Sequence, residues 1–462
     1  MFKPSENKRI QKDKLYEMKK TALWVICVTL IILGACKNVR PDMSGLLKTV
    51  PSSAGMVVGI HLKSLAEDAG CKVSDNEIKP GNEVKEMISK MSDSDRAEVI
   101  NLLGGSSGIV PDYAILFIDA NRTFLTLSLY DVNKFKEFVK KDKETDFTDA
   151  GSGVQLCQNI AIKGNQVWVC LSSSKQIDPD AIVNYASLSQ SQSFLNTDMA
   201  KVILEGDDDV IGWGKINTVL SHFMSLKDMT LLSIASNLIY DDADAIEFTL
   251  DFEKGEMEAS AIVLNEKGKP AKYLLPLEKI DTKTITALEG SCDALLAMNI
   301  TPKLIQKIEK LSSAFGGGIL ANLKETLKNV DGTVAIAIGA GQEAISAIIT
   351  TKGQVSNELN TLLSMTMDNV NQDGNYLRCS RGNLTGGMTV ATCADNLKGD
   401  CLGLVADFQS LKVNSGSYNN LPSSISTVTF AGEPHSGGLR LKMEVKTADD
   451  KENFLMSVIK AL

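Results

Sequence analysis

Apolar and polar positions alternate most cleanly between Ile246 and Val263. Ile246, Phe248, Leu250 and Phe252 alternate with Glu247, Thr249 and Asp251. Lys254-Gly255 turns the chain, and Met257, Ala259, Ala261 and Val263 return. A period of two puts one face of a hairpin in a core and the other in water. This hairpin belongs to a larger pattern: a short apolar strand, helical material, then two paired strands. The pattern occurs four times, which predicts an internally repeated body.

The first copy opens with Gly55–Leu62. Helical segments Asn82–Met91 and Asp93–Leu103 follow, then strands Tyr113–Ile118 and Thr123–Leu129, then a helix over Val132–Lys141 behind Asp131. The second opens with Val210–Lys215, continues as helix over Ile216–Ser236, and ends in the hairpin above. The third opens with Asp293–Ile300. Its helix starts at Thr301-Pro302, breaks at Phe315–Gly318 and resumes over Leu320–Leu327; Thr333–Ile338 and Ala344–Thr350 form its hairpin. The fourth opens with Leu402–Phe408, pairs Thr427–Phe430 with Leu439–Lys446, and closes with a helix over Ala448–Ala461 capped by Thr447.

A further hairpin is expected after the first copy, over Val154–Leu171, and another after the third, over Tyr376–Ala394. Each carries a cysteine on both arms, Cys157 with Cys170 and Cys379 with Cys393. Directly opposed strand residues have Cβ atoms about 4.5–5.5 Å apart, within reach of a disulfide after local adjustment. Either each hairpin carries a disulfide or the thiols pack as small apolar side chains. The expected fold class is therefore α+β, with two similar halves, over 51–275 and 276–462, of antiparallel sheet and hairpins packed by helices.

Thr21–Ala35 is uncharged and apolar. A helix of that length reaches about 22 Å, short of the ~30 Å of a bilayer core. It fits the apolar region of a secretory signal, behind the basic Lys19-Lys20. Leu33, Gly34 and Ala35 precede Cys36 as in a lipobox, so cleavage before Cys36 and lipidation of its thiol are expected. Two or more acyl chains then hold the protein on a membrane. Residues 1–35 read as the signal peptide and 36–50 as a tether. Phe2–Glu17 is long and mixed in charge for such a leader, which points to a start at Met18.

Composition adds exclusions. Apolar residues make up 44% and charged residues 23% of the 462, enough for a full core. Residues 1–35 hold seven Lys/Arg and three Asp/Glu, so their removal takes the net charge from −9 to −13. An acidic chain without a basic cluster is a poor nucleic-acid partner. There is no C-x-x-C pair and the chain has three histidines, so no ordinary zinc site, metal site or cofactor is expected. Gly104–Gly108 matches G-x-S-x-G, but a helix precedes it and a strand follows, the reverse of a nucleophile elbow. Asn369–Gly374 resembles the start of a calcium loop whose twelfth position, Ser380, lacks the required carboxylate. Asp207–Asp209 and the acidic run at Asp241, Asp242 and Asp244 read as solvated loop ends. His61, His222 and His435 stand apart.

The lipobox, the tether and the repeated body opening "VPSSAGMVVGIHLKSL" resemble a family of uncharacterised lipoproteins common in Bacteroidetes, a domain-of-unknown-function family. The resemblance implies an envelope location and no particular activity. Lys37 after the lipid cysteine, and the absence of an acidic run in Lys37–Arg40, lead us to expect outer-membrane attachment facing the periplasm. The membrane, reached through the N-terminal lipid, is the one expected partner, with a protein or small ligand beyond it unassigned. A non-catalytic binding or scaffolding role is the leading expectation. A periplasmic hydrolase with a site assembled from distant residues, and a carrier of an apolar ligand, are the alternatives.

Overall fold

The structure, a computed structural model, describes residues 43–74, 76–103, 105–143, 145–171, 179–223, 239–314, 323–339, 344–415 and 424–461. Leu33, Gly34, Ala35 and Cys36, the Phe315–Gly318 break and most of the helix expected over Ile216–Ser236 lie outside them. The chain divides into two compact units, up to Ile211 and from Gly212 to Ala461. Among the described residues no helix is long and apolar enough to cross a membrane.

In the first unit, α1 (Met43–Leu47) leads into β1 (Met56–His61), α2 (Leu62–Asp68), the small hairpin β2 (Lys72–Ser74) and β3 (Glu77–Lys79), then α3 (Asn82–Ser89) and α4 (Asp93–Leu103). β4 (Ile109–Asp119) and β5 (Arg122–Leu129) follow, then α5 (Val132–Lys143), β6 (Thr148–Asp149), β7 (Val154–Cys157), β8 (Ile160–Lys163), β9 (Gln166–Cys170), α6 (Pro179–Tyr185) and α7 (Met199–Glu205). β4 pairs antiparallel with both β1 and β5, and β5 also pairs with β9. Both faces of this sheet are filled. On one, Ala114, Leu125, Leu127 and Val167 pack with Leu102 of α4 and Phe135 and Val139 of α5. On the other, Phe117 stacks on Phe124 at 5.2 Å and Tyr185 of α6 meets both rings edge-on. The Tyr185 hydroxyl donates to Asp119 Oδ2 at 2.7 Å, which satisfies the polar end of the ring in a buried setting.

Residues 43–50 are not the tether expected of them. Met43, Leu46, Leu47 and Val50 recur at helical spacing and are all buried. Ser193 donates to the Leu47 carbonyl, and Gln166 reaches the Thr49 hydroxyl at 2.6 Å. This stretch belongs to the first unit's core.

β10 (Val210–Lys215) carries the chain into the second unit. It continues with α8 (Ile216–Phe223), β11 (Tyr240–Asp241), β12 (Ala245–Phe252), β13 (Glu256–Leu264), β14 (Lys272–Tyr273), α9 (Thr282–Thr286), β15 (Ser291–Cys292), β16 (Ala294–Ile300), α10 (Pro302–Ala314), α11 (Leu323–Thr326), β17 (Val330–Ile338) and β18 (Ile345–Thr351). Next come α12 (Asn357–Ser364), β19 (Asn369–Asp373), β20 (Tyr376–Arg381), β21 (Met388–Thr389), α13 (Val390–Asn396), β22 (Leu402–Asp407), α14 (Phe408–Ser415), β23 (Ile425–His435), β24 (Gly438–Thr447) and α15 (Phe454–Ala461). One antiparallel ladder runs β12-β13-β24-β23-β22-β16-β17-β18-β20-β19. The pairing of β13 with β24 places the 245–264 hairpin with the C-terminal strands, so the boundary falls near 211 rather than at the expected 275.

The class is α+β, as the alternation predicts. The order β1-β4-β5-β9 in the first unit has the same antiparallel sequence of neighbours as β16-β17-β18-β20 in the second.

The cysteine hairpins are corrected. Residues 154–170 form three strands, because Gln158 takes a left-handed φ of 52° and turns the chain one step after Cys157. Cys157 therefore opposes Ile160 on β8, and Cys170 sits on β9, on the far side of that strand. In the second unit Cys379 lies on β20, opposite Ala347 and Val370. Cys393 is on helix α13, whose N-cap Thr389 accepts from the Thr392 amide. Neither expected pair is opposed across a hairpin, and no disulfide is present among the described residues. The last helix also starts late: Thr447 donates to the Gly255 and Asp449 carbonyls, and Asn453 accepts from the Leu455 amide at its beginning.

Candidate functional site: an open apolar sheet face

The two faces of the second unit's sheet differ. One carries Leu295, Ala297, Ala335, Ala337, Ile348, Val405 and Ala431. These pack under Ile285 of α9 and Val390, Cys393 and Ala394 of α13, and all are buried. Toward β24 and β13 the same face becomes charged. Glu433 bridges Arg440 at 3.2 Å and Lys442 at 2.5 Å, and Lys446 bridges Glu444 at 2.5 Å and Glu256 at 3.7 Å. Partial burial pulls the Glu433 carboxyl upward, but the Lys442 hydrogen bond and the two cations outweigh it and hold it below its usual range. Glu256 moves the other way, raised by burial and by the neighbouring Glu444.

The opposite face is apolar except at its β19–β20 end, where Gln372 and Arg381 share it. Register fixes one row across all ten strands: Val370, Cys379, Ala347, Ile336, Leu296, Leu404, Phe430, Met443, Ala259 and Leu250 each stand opposite the next. A parallel row carries Leu377, Ile349, Val334, Met298, Leu402, Gly432, Leu441, Ala261 and Phe248. At the β18–β20 end Leu359 of α12 packs onto Ala347, Ile349 and Leu377, with Leu327 and Leu363 beside them. At the β12 end Phe252 stacks on Phe454 of α15 at 6.3 Å. Phe248 there fits against Gly212, where any Cβ would sit 2.0 Å from the ring.

The middle is open. Ile336, Leu296, Leu404, Phe430 and Met443 are 36%, 50%, 40%, 40% and 37% exposed. They occupy five adjacent strands, and they make up half of the ten large apolar side chains exposed among the described residues. Lone exposed apolar residues are ordinary, whereas a contiguous patch marks a binding surface. At about 4.8 Å per strand the row spans about 19 Å. Between α12 and α15 the sheet thus forms the floor of a hydrophobic trough. Backbone amides there are engaged in the ladder, so the floor offers shape and dispersion contacts and no directional chemistry.

The other sequence candidates are not gathered into a site. Ser106 lies between α4 and β4 and donates to the Asn101 carbonyl within its own turn. His61 packs edge-on against Tyr113 at 5.0 Å, His222 is on α8, and His435 at the end of β23 has Nε2 3.1 Å from Arg440 Nη2. Asn369–Gly374 is β19 and its turn. Among the described residues no three His, Cys, Asp or Glu side chains are grouped to hold a metal. The sequence does show the alternation of Leu439, Leu441, Met443 and Val445. It does not show that this face, once aligned with four strands up to about 150 residues away, lacks a cover among the described residues.

No family model and no curated protein matches the sequence. Among solved structures the chain is similar to TP0453. With crystal form I it shares 10% identity at a TM-score of 0.29, over 78% of this chain and 97% of that one. With crystal form IV it shares 12% at a TM-score of 0.29, over 47% and 79%. Likeness this distant bears on neither the site nor its use.

Proposed function

We propose that the protein is a lipid-anchored, non-catalytic component of the cell envelope that holds the acyl chain of an amphiphile on the open face of its second unit. The row Ile336–Leu296–Leu404–Phe430–Met443 carries the reading. An acyl chain suits a floor with no polar side chain along that row. Burying five partly exposed side chains at ~25 cal/mol per Å² supplies a driving force that needs no hydrogen-bond partner. The Leu33-Gly34-Ala35-Cys36 sequence supports the anchor and the envelope location, with the outer membrane facing the periplasm as the finer reading. The matching strand orders in the two units support an origin by internal duplication.

The test is photo-crosslinking. Bacteria producing the full chain are fed a diazirine-bearing fatty acid, irradiated, and the protein is mapped by mass spectrometry. Crosslinks on β16, β22 and β23 are expected, falling at least tenfold in a Leu404→Gln, Phe430→Gln double variant. Labelling confined to the Cys36 peptide, or unchanged by the double substitution, overturns the acyl-chain reading. Intact mass of the same preparation tests the anchor separately: a chain that begins elsewhere than Cys36, without acyl groups, removes it.

A further inference from the structure

Cys292 and Cys393 are 101 residues apart in sequence, and their sulfurs stand 3.7 Å apart in the core. Both side chains are fully buried. Two features hold them there. Cys292 pairs with Met388 in the β15–β21 ladder, and α13, which carries Cys393, begins directly after that ladder. Gly386 also lies flush on the Cys292–Asp293 backbone, and Gly387 on the Asp407 and Ser410 side chains. A Cβ at Gly386 would stand 2.2 Å from the Cys292 carbonyl carbon, and one at Gly387 1.9 Å from Asp407 Oδ2. The Gly387 amide donates to Asp293 Oδ1 at 3.2 Å, which ties the same two segments together again.

We infer that Cys292 and Cys393 are a disulfide-forming pair that staples β15 to α13 on the covered face of the second sheet. The sulfurs have about 1.7 Å to close to reach a bond of about 2.05 Å. The two sulfurs stand within hydrogen-bonding distance, and either thiol can be the donor.

The chemistry balances against an external disulfide, either an oxidised dithiol protein or a small-molecule disulfide. The thiolate of either cysteine attacks one donor sulfur and expels the other as a thiolate. The second cysteine, losing its proton, then attacks the protein sulfur of the mixed disulfide and expels the second donor thiol. Two electrons and two protons pass to the donor. Because both thiols are sealed in the folded core, exchange takes place before α13 settles. This inference is independent of what the trough holds.

The test refolds the full chain, in non-ionic detergent, in a buffer of oxidised and reduced glutathione. Remaining thiols are then alkylated and the chain is mapped without reduction. The expected result is one linked peptide pair joining Cys292 to Cys393, lost on reduction, with Cys71, Cys157, Cys170, Cys379 and Cys401 alkylated. Alkylation of both Cys292 and Cys393, or linkage of either to another cysteine, overturns the inference. A Cys393→Ala variant supplies the second readout. The denaturation midpoint of the wild type is expected to rise on oxidation, and that of the variant to stay unchanged; an equal rise in both also overturns it.

Discussion

Leu296 on β16 lies directly opposite Leu404 on β22, and the two leave 50% and 40% of their surfaces open, while their chain neighbours Leu295 and Val405 are fully enclosed. Adjacent residues on these strands therefore meet different solvents. One side is closed by α9 and α13; among the described residues the other is a floor without a roof between α12 and α15.

Leu295→Ala is expected to cost about 3 kcal/mol, because it removes a side chain with no exposed surface from a packed layer. Leu296→Ala, one residue on, is expected to cost under about 1 kcal/mol. Urea unfolding of both variants checks the pair, and equal costs would mean that the second face is packed after all.

Asp112 on β4 gives a pH dependence. Burial raises its carboxyl to about 6, against the opposing charge of Lys63. A carboxyl whose folded value lies above its unfolded value binds its proton more tightly when folded. It contributes stability below about pH 4 that is lost as pH rises through 6. Asp112→Asn is expected to flatten this slope and to stabilise the protein at pH 7 by about 1 kcal/mol, since the half-buried carboxyl keeps part of its hydration. Denaturation midpoints from pH 4 to pH 7.5 test it.

Glu433 has the opposite sign. Its lowered carboxyl contributes stability above its unfolded value, near 4.3, and loses it as the pH falls through the folded value. Glu433→Gln is expected to cost about 1 kcal/mol at pH 7, because the ion pairs with Arg440 and Lys442 are only partly screened from water. The difference from wild type should vanish in acid.

Gly386→Ala is expected to cost at least about 2 kcal/mol, since the atom that its Cβ meets at 2.2 Å belongs to backbone and cannot swing away. Gly374→Ala carries the conformational cost instead: its surroundings are open, and its φ of 55° lies in the left-handed region, which Gly386 does not occupy. Comparing the two by thermal unfolding separates the steric part from the conformational part.

Most strands were legible because their neighbours lie close in sequence and alternate cleanly, as in β12–β13 and β23–β24. The misses have local causes. A single left-handed residue, Gln158, made three strands where two were expected. The spacing of Val390, Cys393, Ala394 and Leu397 is helical, and Thr389 is a good cap, yet the expectation of a mirrored hairpin overrode both. Met43, Leu46, Leu47 and Val50 also share a helical stripe, which an expected tether over 36–50 leaves out of account. The trough is a different kind of miss. Each of its strands reads correctly alone, but a row joining Ile336, Leu296, Leu404, Phe430 and Met443 exists only once five separate segments are in register. The contact of Cys292 with Cys393 is equally non-local.

The unroofed row also bears on how the protein is handled before it is loaded. A surface of this size attracts any other greasy surface, including the same surface on a second copy. On the acyl-chain proposal, empty copies are expected to associate through this face, and an occupant that covers it is expected to suppress that association.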